Sequence, residues 1–191
     1  MSFCVSRKSE ALVRELLTEA GDHNLPAIAG EMRTAGVEAA PDEASPETYV
    51  GDDRAENFAS TTPLAKDRPG TYAAPGALKL NQWSLGGAWN VGAESAVSTS
   101  AAGKMVFRFH ARDLHLVLAP GPDGKPVRFR ITIDGHEPGK DRGSDVDDKG
   151  NGSVREQRLY QLIRPSGPVQ DCTFTIESLD PGVHAYAFTF G

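Results

Sequence analysis

Only two cysteines, Cys4 and Cys172, occur among the 191 residues. They form no Cys-x-x-Cys pair, which excludes a dithiol redox centre or a zinc knuckle within these residues. Cys172 opens an apolar stretch and reads as a buried, inert thiol, and nothing in the pattern supports a bridge to Cys4. Long apolar runs are missing as well. No segment approaches the roughly 18 uninterrupted apolar residues of a membrane span. The opening MSFCVSRKSEALVRELL has no apolar stretch before a small-residue cleavage site, so the chain as written reads as cytoplasmic. Basic charge is in deficit: 20 Lys and Arg stand against 26 Asp and Glu. The basic stripe that nucleic acid requires is therefore absent. There is also no GxSxG, no HExxH and no glycine-rich phosphate loop. The five histidines are scattered without metal-ligand spacing. These absences argue against an enzyme and imply neither cofactor nor metal.

What is present is unevenly distributed. Residues 1–70 carry 13 acids and 7 bases, whereas residues 71–191 carry 13 of each, so the whole charge imbalance sits at the front. Eleven of the 14 aromatic residues lie after residue 70. The core is therefore C-terminal. Ser9 to Ala20 reads as one amphipathic helix, with Ser9 as N-cap and Gly21 as its stop. Leu12 and Leu16, and Val13 and Leu17, stand four apart and make an apolar stripe that needs a partner. Residues 22–44 hold Pro26, Gly30, Gly36 and Pro41 with little periodicity, and read as a flexible linker. The domain plan is thus a helical piece over 1–21, a linker over 22–44 and a main domain over 45–191. In the polar stretch after Ser45, Tyr49 and Phe58 are suited to pin the chain to the surface of that domain.

The main domain is a series of strands. Trp83, Leu85, Gly87, Trp89 and Val91 share one parity in LNQWSLGGAWNV. Met105, Phe107 and Phe109 alternate with Val106, Arg108 and His110. Leu114, Leu116 and Leu118 alternate with His115 and Val117. Val127, Phe129, Ile131 and Ile133 alternate with Arg128, Arg130 and Thr132, and Asp134-Gly135 ends that strand. A polar loop over 136–153 follows, then single strands over 154–164 and 171–179, and a final VHAYAFTFG. Breaker-rich turns separate them. About eight strands without an intervening helix predict an all-β fold, an antiparallel β-sandwich of jelly-roll type.

The segments SPETYVG, RAENF, NQWSLGGAW, FRFHARDLHLVL, VRFRITIDG, REQRLYQLIRPSG and FTIESLDPGVHAYAFTFG resemble the C-terminal module of DipZ-type proteins. The resemblance spans residues 45–191, and SEALVRELLTEAG resembles the last helix of that family's thioredoxin-like domain. It implies a jelly roll similar to carbohydrate-binding modules, in a thiol–disulfide redox protein of the cell envelope. The family's Cys-x-x-Cys segment is not among these residues, so no redox activity carries over. The chain reads as a truncated or shortened relative, and the full-length protein is expected outside the cytoplasmic membrane. Two roles follow as expectations. One is a non-catalytic accessory module that binds a glycan. The other is a docking module that packs against a thioredoxin-like domain, using Leu12, Leu16 and Leu17, and binds no glycan.

Candidate ligand residues are weighed on that basis. Trp83 and Trp89 are suited to stack on sugar rings, but their parity with Leu85 and Val91 argues for the core, with Trp83, near the strand start, the better exception. Tyr160 and Gln161 form an aromatic-plus-amide pair suited to a saccharide, with ambiguous facing. Arg108, His110, His115, Arg128 and Arg130 fall opposite the apolar parity. If their strands are neighbours, they make a cationic surface suited to hydroxyl pairs or carboxylates, against the ordinary alternative of a solvated, acid-paired sheet face. Asp145 to Glu156 has calcium-loop spacing except that Lys149 takes a ligand position, which favours an ordinary acidic hairpin loop.

Overall fold

Period-two burial sets the architecture. In the computed structural model, which describes residues 45–191, Met105, Phe107 and Phe109 are buried while Val106, Arg108 and His110 are partly exposed. The predicted helix over 9–20 with Leu12, Leu16 and Leu17, the linker over 22–44 and Cys4 all lie outside the described residues. Eleven strands follow one another: β1 (Thr48–Tyr49), β2 (Pro69–Tyr72), β3 (Trp83–Val91), β4 (Ala96–Ser98), β5 (Lys104–His110), β6 (Leu114–Ala119), β7 (Val127–Ile133), β8 (Asn151–Val154), β9 (Arg158–Ile163), β10 (Asp171–Ser178) and β11 (His184–Phe190). A 3-10 turn at Gly139–Asp141 is the only helical piece among the described residues.

The pairing is antiparallel between all the named strands, and it realises the predicted jelly roll. β4, β11, β6 and β9 lie side by side in one sheet, here sheet I; β5, β10, β7 and β8 lie side by side in sheet II. β3 belongs to both. Its first half, Trp83–Gly86, pairs with β5; its second half, Trp89–Val91, pairs with β4. The change of sheet falls at Gly87, whose φ of +84° is left-handed and open to glycine at no steric cost.

Between the sheets the large rings interlock. The Phe107 ring of sheet II lies 4.9 Å from that of Phe188 in sheet I, which lies 6.1 Å from Phe174, again of sheet II. Each fully buried ring contributes roughly 1.5–3 kcal/mol. Trp83 and Trp89 join this core, with their indole N–H groups donating to the carbonyls of Glu56 and Gly86 at 2.8 and 2.9 Å.

Two strand limits differ from the sequence reading. Residues 154–164 are not one strand: β8 is in sheet II and β9 in sheet I, so the chain must break between them. The Tyr160 hydroxyl closes that break, accepting from the Arg155 N–H at 3.1 Å and donating to the Glu156 carbonyl at 3.0 Å. The long polar loop is itself structural, and its end is already β8. Gly143 N–H donates to Leu162 O and Asp145 N–H to Gln161 O, along the free edge of β9. Asp147 N–H donates to Asn151 O, along β8. One strap thus covers both sheet edges that would otherwise invite intermolecular pairing.

Ala102, between β4 and β5, adopts a φ of +64° without being glycine, a conformation that costs an L-residue roughly 1–2 kcal/mol. Ala102→Gly is expected to stabilise the protein by about 1 kcal/mol after the added unfolded-state entropy. That should raise Tm by about 2–4 °C in a thermal melt. An unchanged or lowered Tm would show that the turn carries no such strain.

Candidate functional site

The residues predicted to form a cationic face are divided by the fold. Arg108 and His110 of β5 and Arg128 and Arg130 of β7 do share the outer face of sheet II, but β10 lies between their strands and brings acids. Asp171 of β10 stands opposite His110 and binds both its Nδ1, at 2.8 Å, and Arg108 Nη2, at 3.3 Å. Lys104 meets Glu177 at 3.5 Å. Arg128 holds Asp180 through Nε and Nη2 at 2.9 and 2.8 Å. Arg130 is exposed, opposite Glu177 and Asn151 in register. Apart from Arg130, the cations of this face are each matched by an acid, so it is a largely neutralised ladder rather than a cationic surface. His115 is on the other sheet.

The aromatic ligand candidates are corrected by burial. Trp83 is 0% exposed and Tyr160 1%. Trp83 faces the inter-sheet space, where Phe58 packs on it with ring centroids 4.8 Å apart. Tyr160 pairs with Leu116, a core residue, and Phe129 meets its ring edge-on. The Arg158 guanidinium lies 3.9 Å from the same ring. Neither ring is open to a sugar. Gln161, next in sequence, points the other way and is exposed on sheet I. The acidic loop spends its carboxylates internally. Asp145 takes two bonds from Arg158, at 2.6 and 3.1 Å, and one from the Gln161 N–H. Asp147 accepts from the backbone of Lys149 and from Asn151. They fasten the strap, and no grouping of three metal-ligating side chains occurs among the described residues. Cys172 is buried, and burial together with Asp134 pushes its thiol pKa up, so it is held as a neutral thiol.

The outer face of sheet I has a different character. Tyr49 lies opposite Ala187, Ala187 opposite Val117, and Val117 opposite Leu159. Four strands thus carry one apolar row about 14 Å long, at the usual spacing between neighbours. Ala187 is buried without belonging to the core cluster, because Tyr49 and Val117 flank it on the outside. Leu159, at one end, is 40% exposed. Tyr186 is the extra residue where the β11–β6 register shifts. On one side the row is bordered by Thr189, His115 and Gln161, on the other by His184 and Ala119. Burial lowers the pKa of both histidines, and near His115 the Arg164 charge adds to that while Asp113 opposes it. Both imidazoles are therefore neutral at neutral pH. A neutral, half-apolar face on a four-strand platform suits contact with another protein surface. Sequence reading placed Tyr49 at the surface but did not single out Val117 or Leu159. The available signal was Val117, a valine at an outward position of its strand.

Comparison with known families gives one match. A family model described as a thioredoxin-like C-terminal domain covers residues 45–191. No curated protein matches the chain.

The Arg128–Asp180 pair makes a pH prediction. The Arg128 guanidinium, with its backbone N–H adding, depresses the Asp180 pKa from 3.8 to about 2. A depressed carboxylate pKa stabilises the folded state above the unfolded value, and that stabilisation is lost as pH falls from about 4 to about 2. Urea melts of wild type and Asp180→Asn should differ at pH 7 and converge near pH 2. Equal midpoints at pH 7 would show that the pair contributes nothing.

Proposed function

The chain belongs to the thioredoxin-like C-terminal domain family, and from that membership we propose that it is a non-catalytic accessory module that docks against a thioredoxin-like domain. The observation that carries the reading is the apolar row Tyr49–Ala187–Val117–Leu159 on the outer face of sheet I. A solvated antiparallel sheet normally turns polar residues outward, as sheet II does here. Sheet I instead offers small and apolar side chains between two neutral histidines, a composition that loses little on desolvation. The resemblance to DipZ-type proteins supports a setting in a thiol–disulfide system of the cell envelope.

The glycan reading is the weaker one. It would have to work without the Trp83 and Tyr160 rings, since both are in the core. The polar residues left to it, Gln161 on sheet I and Arg108, His110, Arg128 and Arg130 on sheet II, stand on opposite faces of the sandwich.

The test is calorimetric. The full chain is titrated with a recombinant thioredoxin-like domain taken from a protein in which that domain precedes a module of this family. Saturable binding is expected, and Leu159→Glu should weaken it by about 30-fold or more, as charge in an apolar contact does, without lowering Tm. Binding that survives Leu159→Glu unchanged would remove this face from the reading. No protein binding, together with saturable binding on a glycan array, would replace docking by glycan recognition.

A further inference from the structure

We infer that Arg54 is the polar anchor of the docking face, and that it receives a carboxylate from the docking partner. The inference rests on the docking reading and adds the chemistry of the partner: an apolar contact surface with an acidic side chain at its flank.

The geometry is local and specific. The chain turns sharply after β1, with the Arg54 N–H donating to the Gly51 carbonyl and Tyr49 bridging to Ala55. This brings Arg54 back over the β1 tyrosine. Its guanidinium carbon sits 3.3 Å from the centre of the Tyr49 ring. A guanidinium stacked on a ring is held in one orientation, while its edge N–H groups stay free for a bidentate acceptor. Among the described residues the Arg54 side chain has neither a hydrogen bond nor an ion pair. Acids are close in sequence, but Lys66 holds both Asp52 and Asp53, at 3.2 and 3.0 Å. By contrast Arg108, Arg128 and Arg158 each hold a carboxylate. Among the described residues Arg68, Arg130 and Arg155 also lack an ion pair, but Arg130 stands in the charged ladder of sheet II, and Arg68 and Arg155 lie off the apolar row, before β2 and in the β8–β9 break. Among the described residues, Arg54 is the uncommitted guanidinium at the end of the apolar row. A pre-oriented cation beside a surface that becomes dry on contact is where a partner carboxylate gains most.

The experiment uses the same titration as above, at about 50 mM and about 300 mM salt, where screening of an exposed ion pair differs strongly. Arg54→Glu is expected to weaken binding by about 30-fold or more at low salt. Arg54→Gln is expected to weaken it less and to abolish the salt dependence that wild type shows. Arg54→Lys, which keeps the charge without the planar fork, should fall between wild type and Arg54→Gln. If Arg54→Glu and Arg54→Gln bind within twofold of wild type while Leu159→Glu fails, the anchor is wrong and the docking face stands. If Arg54 and Leu159 variants all bind like wild type, both the anchor and the face are overturned. If wild type does not bind, both fall together. Thermal melts on each variant separate lost binding from lost folding.

Discussion

The interlock of Phe107, Phe188 and Phe174 across the inter-sheet space is what the rest of the molecule depends on. The two sheets share only β3, and that one strand does not hold their faces together. They stay together because each offers the other one face of large rings at native packing density. That demand uses nearly every big aromatic side chain of the described residues. Trp83, Trp89, Phe109, Phe129 and Tyr160 are all committed inward. Whatever the module recognises is therefore met by what remains outside. Among the described residues, Tyr49 brings a partly exposed ring to the outer side of sheet I, beside the imidazoles of His115 and His184.

The two outer faces resolve their exposure differently. Sheet II answers with charge, and its partners largely cancel: Arg108 against Asp171, Lys104 against Glu177, Arg128 against Asp180, with Arg130 left over. Such a face is well hydrated and loses that hydration if covered, so it resists association. Sheet I carries few charges on its outer side. Its histidines are kept uncharged by burial, and its central positions are Ala187 and Val117. The contrast between faces carries the functional reading more than any single residue does.

Strand content and jelly-roll class were legible because alternation is a one-dimensional signal. Phe107 and Phe109 announce their face without knowledge of any neighbour. The same logic put Trp83 in the core by parity with Leu85 and Trp89, which burial bears out against its alternative role as a sugar platform. Facing was not legible where alternation failed. Tyr160 sits between Leu159 and Leu162, apolar on both parities, so only the pairing with Leu116 settles its side. Pairing itself is a two-dimensional fact. Arg108 and Arg128 look like members of one cationic surface until β10 arrives between them with Asp171. The break at Arg155–Gln157 was equally hidden, because it exists only to move the chain from one sheet to the other. The strap over 141–147 reads as solvated acidic sequence, yet its carboxylates and amides are what close β8 and β9.

The position of β11 has a consequence for how the molecule comes into being. β11 lies between β4 and β6, in the middle of sheet I, and also receives β1. A polypeptide that emerges N-terminus first, from a ribosome or through a membrane pore, exposes β4 and the β6–β9 pair before the strand that joins them exists. Sheet I can then close only when residues 184–190 have emerged. The half-made sandwich must keep Leu116, Leu118 and Phe107 out of harm until then, a demand on chaperoning rather than on stability.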